Sequence, residues 1–253
     1  MALECGIEIP LVNIFSNPTI KGISKLIKDD EVNTSYIQRF NLNTGKNNIF
    51  AFPPIFGYGV VYQAMAKDLD EYVVNSFDFI ESEKDNIVDL YIKAIKEIQS
   101  EGPYTLIGYF AGGLLAYKVA EELEVHGEEV DKIIILDSYL QRITENDREI
   151  DINSVLGIQS KFTPSEDITN YTMKMDSYYM FVDQFVVKLP IAADVYLIKA
   201  STNNNDLSYI SDLIKGNFVE YTGYGTHYQM LSEDSSIAGN VLIIKNILSI
   251  LRN

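Results

Sequence analysis

One cysteine, Cys5, two histidines and no tryptophan occur in 253 residues. A single thiol rules out an internal disulfide and suits a reducing cytoplasm. So few sulfur and imidazole ligands leave no zinc constellation to expect, and no metal is expected. Cationic residues are also scarce: 20 Lys and Arg stand against 36 Asp and Glu, a net charge of −16. Such a surface repels phosphate backbones and anionic lipid, so nucleic acid and membrane surfaces are not expected partners. No apolar run approaches the roughly 20 residues needed to cross a bilayer. The first ten residues carry Glu4 and Glu8 with no cationic start, so no secretory leader is expected. What is plentiful is apolar side chain, 47% of the chain, enough for one large core.

From Asn48 onward, short apolar runs alternate with amphipathic stretches. Strands are expected at Ile49–Phe52, Tyr72–Phe77, Tyr104–Ile107, Lys132–Leu136, 193–198 and 217–221. Helices are expected at Tyr58–Leu69, Asn86–Gln99, Ala111–Val125 (closed by Gly127) and Ala238–Leu251. This alternation predicts an α/β fold, a mostly parallel sheet with helices on both faces and ligand sites at the carboxyl ends of the strands. The first 28 residues stand apart, with a helix start at Pro18-Thr19. Residues 29–46 read as a polar linker with one edge strand.

The informative motif is Gly108-Tyr109-Phe110-Ala111-Gly112-Gly113, placed between a strand and a helix. It is the G-x-S-x-G nucleophile elbow of an α/β-hydrolase with phenylalanine in the serine's place. The other parts of such a site follow in the order that fold requires. Asp137 ends the run Ile133-Ile134-Ile135-Leu136, where a strand delivers a carboxylate to the top of the sheet. His227 lies on the glycine-shaped loop Gly223-Tyr224-Gly225-Thr226. Asp137 would fix the imidazole tautomer and His227 would serve as general base, then acid. Two backbone amides would form the oxyanion hole: Ala111 at the helix start, and Ile55 in the loop Phe52-Pro53-Pro54-Ile55, where the prolines have no N–H to offer. The other histidine, His126, lies at a helix end, where the helix dipole accounts for it. Residues 141–187 break the strand–helix alternation and are rich in Tyr and Met. They are expected to form a helical lid whose Tyr178, Tyr179 and Phe181 line a substrate channel.

Phe50-Ala51-Phe52-Pro53-Pro54, Gly57-Tyr58-Gly59, Gly102-Pro103-Tyr104, the 108–113 motif, Leu136-Asp137-Ser138-Tyr139 and Gly225-Thr226-His227 with Met230-Leu231 together resemble the terminal thioesterase domains of nonribosomal peptide synthetases, the surfactin type above all. The likeness runs from residue 47 to 253. Residues 1–28 are similar to the last helices of a peptidyl carrier domain, whose phosphopantetheine-bearing serine would lie before Met1. The resemblance implies a monomeric domain that takes a peptidyl or lipopeptidyl chain from the 4'-phosphopantetheine arm of an upstream carrier domain. The chain would pass through an acyl-enzyme ester and leave by macrocyclisation or hydrolysis, with no cofactor bound directly. Phe110 departs from that pattern and implies an inactivated enzyme. A naturally non-catalytic homologue that binds acyl chains or a carrier domain is the alternative. Ser138 is a further candidate to take over as nucleophile, but it adjoins Asp137 and would compete with the acid for position.

Overall fold

A computed structural model describes residues 36–42, 44–82, 86–140, 168–184 and 186–251. The carrier-like segment 1–28 and the first part of the expected lid, 141–167, lie outside the described residues. Seven strands form one sheet in the order β1-β3-β2-β4-β5-β6-β7. They are β1 (Ile37–Phe40), β2 (Asn47–Phe52), β3 (Tyr72–Phe77), β4 (Tyr104–Tyr109), β5 (Val130–Leu136), β6 (Asp194–Lys199) and β7 (Phe218–Thr222). Only β1 is antiparallel, running against β3 from Ile37↔Phe77 to Phe40↔Val74. The remaining pairs are parallel. Among the described residues no helix is long and apolar enough to cross a membrane.

The central strands β4, β5 and β6 are buried on both faces and largely apolar along their length, as parallel strands inside a sheet must be, whereas the edge strands β1 and β7 are partly exposed and carry polar residues. Period-two alternation divides the apolar side chains between two cores. Phe50, Phe52, Phe77, Leu106, Ile133, Ile135 and Leu197 face one core, with α2 (Ile87–Ile98), α3 (Ala111–Val125) and α4 (Ile168–Asp183) packed over them. Ile49, Ala51, Val74, Ile107, Ile134, Leu136 and Ile198 face the other, under α1 (Gln63–Lys67) and α5 (Asp234–Leu248).

Local chemistry sets several boundaries. Asn86 caps α2 by accepting the Val88 N–H at 3.1 Å. Gly127 ends α3 at φ 80°, and the Glu128 N–H turns back to the Leu123 carbonyl at 3.0 Å. The expected helix over Tyr58–Leu69 is instead a 3₁₀ turn, Gly59–Tyr62, leading into the five-residue α1. Position 59 requires glycine, because a Cβ there would come within 2.5 Å of the Phe77 carbonyl oxygen. The last helix begins four residues earlier than expected and ends three residues earlier. Its first turn holds Ser235 and Ser236, polar residues that read as loop, yet Ser236 is buried against Gly225.

Candidate active site

Four chain segments meet at the carboxyl end of the sheet: the loop after β2, the β4–α3 turn, the end of β5 and the loop after β7. The β4–α3 turn is dictated by its two glycines. A Cβ on Gly108 would lie 2.1 Å from the Gly112 carbonyl oxygen, and one on Gly112 would lie 2.3 Å from the Phe52 carbonyl oxygen. Neither distance is possible, so only glycine lets α3 close onto its own strand and onto the β2 loop. Between them Phe110 adopts φ 53°, ψ −122°. Bulky residues avoid this region, and holding one there costs on the order of 1–3 kcal/mol. The turn is pinned by the Phe110 N–H to the Leu136 carbonyl at 3.0 Å and the Gly113 N–H to the Phe110 carbonyl at 2.9 Å.

Asp137 follows β5 with a positive φ of 43° and is almost completely buried. Its Oδ2 lies 2.7 Å from His227 Nδ1. Its Oδ1 accepts the Ala200 N–H at 2.9 Å and the Asn203 side-chain amide at 2.7 Å. Burial works to raise the Asp137 carboxyl, but the hydrogen bonds from His227, Asn203 and Ala200 outweigh it and hold the group below its ordinary range. An ionised carboxylate can only accept, so Nδ1 carries the proton and Nε2 is left as the basic nitrogen.

Three aromatic rings surround the His227 imidazole. Phe110 stands edge-on with centroids 4.9 Å apart, Tyr228 edge-on at 5.2 Å and Tyr109 tilted at 5.2 Å. The Tyr109 hydroxyl also donates to the His227 carbonyl at 2.6 Å. Burial drives the Tyr109 phenol well above 10, so it stays a donor. The structure therefore brings Phe110, Asp137 and His227 together.

Ala111 is the first residue of α3, where an amide has no carbonyl one turn behind it in the helix. Ile55 is buried in the loop after β2. Gly112, one residue past Ala111, seats that helix end on the Phe52–Pro53 backbone. Ser138 is buried against Gly113, and its hydroxyl makes no hydrogen bond to His227. His126 is remote from the site, its Nδ1 2.8 Å from the Glu122 carbonyl of its own helix.

The three expected channel residues have different surroundings. Tyr178 is fully enclosed, stacked on Phe79 at 4.0 Å, and its hydroxyl donates to the Pro53 carbonyl at 2.9 Å. Tyr179 is buried in the core beneath α4. Phe181 borders a cleft of about 1290 Å³ shared with Met173, Met180, Asn86 and Lys118. Phe110, Asp137 and His227 do not line that cleft. The positive-φ turn and the carboxylate–imidazole pair, rather than the cleft, therefore mark the candidate site. Sequence reasoning missed Asn203, Tyr109 and Tyr178 as hydrogen-bond partners. Their partners lie 66, 118 and 125 residues away along the chain, and no local pattern carries that information.

Residues 47–187 match the family profile described as the thioesterase domain. Bacitracin synthase 3 of Bacillus licheniformis is 32% identical over 244 residues, which is 91% of this chain and 4% of that protein. Surfactin synthase subunit 3 of Bacillus subtilis (strain 168) is 31% identical over 242 residues, 92% of this chain and 19% of that protein. The chain thus spans a small part of the length of these relatives. Among solved structures, SrfTE, the thioesterase domain described for cyclisation of the lipopeptide antibiotic surfactin, shares 28% identity at a TM-score of 0.77. It covers 86% of this chain, which in turn covers 97% of it.

Proposed function

The chain belongs to the thioesterase domain family, and from that premise we propose that it carries the acyl-releasing site of a nonribosomal peptide synthetase with its nucleophile replaced by Phe110. In this reading a peptidyl or lipopeptidyl thioester arrives on the phosphopantetheine arm of an upstream carrier domain. A serine at position 110 would pass its proton to His227 Nε2 and attack the thioester carbonyl. The oxyanion would meet the Ile55 and Ala111 amides, and the carrier thiolate would leave with the proton returned by His227. Water, or a hydroxyl or amine of the peptide, would then release the ester by the same route. Phenylalanine has no atom that can begin this sequence.

The observation that carries the reading is the Asp137–His227 pair at 2.7 Å, its imidazole facing Phe110 on a positive-φ turn. A carboxylate–imidazole pair of the kind that would serve a serine adjoins a residue that cannot use it. The test is Phe110→Ser, assayed with an acyl-thioester and a fluorophosphonate. The parent chain is expected to give no turnover above background and no label. The serine variant is expected to gain both. Failure of Phe110→Ser to label or turn over would overturn the reading.

The second reading is a non-catalytic acyl- or carrier-binding module. The edge-on packing of Phe110 against His227 favours it, since the imidazole meets a ring with no proton to give up and no nucleophilic atom. Saturable binding of an acyl-pantetheine carrier by the parent, with an inert serine variant, is the outcome that would select it.

A further inference from the structure

The loop that would supply one oxyanion amide is held by two buried phenols that come from different parts of the molecule. The Tyr62 hydroxyl donates to the Phe52 carbonyl at 2.6 Å and accepts the Tyr109 N–H at 2.8 Å, which ties the end of β2, where the loop departs, to β4. The Tyr178 hydroxyl donates to the next carbonyl, that of Pro53, at 2.9 Å. Tyr62 belongs to the core beside α1. Tyr178 belongs to α4, which closes the opposite face and lies within the segment 141–187 expected to form the lid.

Pro53 and Pro54 cannot donate, so the usual backbone anchors of a loop are missing on the two residues before Ile55. Carbonyl acceptors are the remaining handles on this stretch. Downstream, the Gly57 N–H closes a turn on the Pro54 carbonyl at 2.8 Å, and the Gly57 carbonyl accepts the Phe79 N–H at 2.8 Å. Phe79 is the residue on which Tyr178 stacks, with ring planes 13° apart. Lys174, one turn before Tyr178, lies over the Tyr58 ring at 4.5 Å. The side of the loop not held by β4 is therefore contacted by α4, and the Tyr178 hydrogen bond falls two residues before the candidate amide.

We infer that Tyr178 is a positioning residue: its hydroxyl transmits the seating of α4 to the Ile55 amide, so that the oxyanion geometry forms only when α4 is docked. The inference rests on the assignment of Ile55 to the oxyanion hole. It goes further by making α4 a condition for catalysis and not only a cover over the site. The consequence is economical for an enzyme that must admit a carrier-borne arm and then exclude water. While α4 is displaced the hole is incomplete, and an acyl group is not committed to reaction.

Tyr178→Phe isolates the hydroxyl, because the ring and its stack on Phe79 remain. Two measurements are needed. In the chain as it exists, amide exchange of Gly57 is expected to quicken about tenfold or more, while Leu106 and Ile107 in β4 stay unchanged. An unchanged Gly57 amide would overturn the link between α4 and the loop. In the Phe110→Ser background, Tyr178→Phe is expected to lower kcat about tenfold with KM within a factor of two. A donor aimed at the oxyanion acts on the transition state and not on ground-state binding. A looser loop with kcat and KM both unchanged would overturn the role of Tyr178 in positioning the amide. So would a fall in melting temperature with kcat intact, which is what a purely structural bond would give. If Phe110→Ser shows no activity at all, the thioesterase reading fails, and the Gly57 measurement still decides whether α4 controls the loop.

Discussion

His227 Nδ1 lies 2.7 Å from Asp137 Oδ2, although no serine completes the arrangement. The pair is built by the ends of β5 and the loop after β7, and the residue at 110 is not needed to hold it. The Asp137 N–H continues the sheet ladder to the Ile198 carbonyl at 2.9 Å, and Tyr109 holds the His227 backbone. The geometry of the pair comes from strand ends and buried hydrogen bonds, whatever residue stands at 110.

In a Phe110→Ser variant that has gained turnover, Asp137→Asn is expected to lower kcat by about four orders of magnitude. The asparagine amide would donate to Nδ1 and force the proton onto Nε2, removing the base. Steady-state kinetics of the two variants against one acyl-thioester checks this. A loss below about tenfold would mean that His227 does not depend on the carboxylate.

The strain at position 110 gives a comparison free of the ring's own packing. Phe110→Gly and Phe110→Ala both delete the ring, but only alanine keeps a Cβ at φ 53°. The glycine variant is expected to be more stable than the alanine variant by about 1 kcal/mol, measured by denaturant unfolding. Equal stability, or a more stable alanine variant, would show that the turn is unstrained.

Asp137 makes a pH-dependent contribution whose sign follows from its depressed carboxyl. The unfolded chain takes up this proton near the ordinary 3.8, whereas the folded chain resists it to lower pH. Unfolded protein therefore binds more protons in that interval, and stability from this group is complete above it and lost as pH falls through the folded value. Asn203 supplies part of the effect through its 2.7 Å bond. Asn203→Ala is expected to cost about 1–2 kcal/mol at pH 6, and less at pH 3. Unfolding curves of parent and variant at both pH values test it, and a cost independent of pH would contradict the assignment.

Glu121 on α3 is buried, pairs with Lys118 and accepts the N–H groups of Lys188 at 2.6 Å and Leu189 at 2.8 Å. Lys118 in turn donates to the Val186 carbonyl at 3.0 Å. This ion pair fastens the limb that returns from α4 to β6. Glu121→Gln is expected to destabilise the protein by about 3 kcal/mol, because it leaves Lys118 without its anionic partner and weakens two amide bonds. Hydrogen exchange across 186–193 should quicken more than exchange in β5. A uniform change across the molecule would place the effect in global stability instead.

Several features of this protein are determined by its sequence alone. Alternating apolar runs dictate a parallel sheet because a strand buried on both faces has no solvent side on which to place polar residues, and β3 and α3 fall on their expected bounds. Gly108 and Gly112 mark close backbone approaches that only glycine permits, and Gly127 marks a positive-φ helix end that glycine favours, so the Phe110 turn and the end of α3 are legible in single letters. Asp137 and His227 are legible because strand ends and glycine loops place them. The tertiary structure alone decided the rest. The 58–69 stretch has helical periodicity but opens as a 3₁₀ turn, whose first residue, Gly59, lies so close to the Phe77 carbonyl that no Cβ fits. Tyr178 has the composition of a channel residue, yet its phenol is spent on the Pro53 carbonyl, a partner set by the docking of α4. Asn203 sits among polar loop residues that look alike until the loop folds over Asp137. Periodicity reports which face of an element is buried, whereas the partner of a buried polar group depends on which distant segment comes to rest beside it.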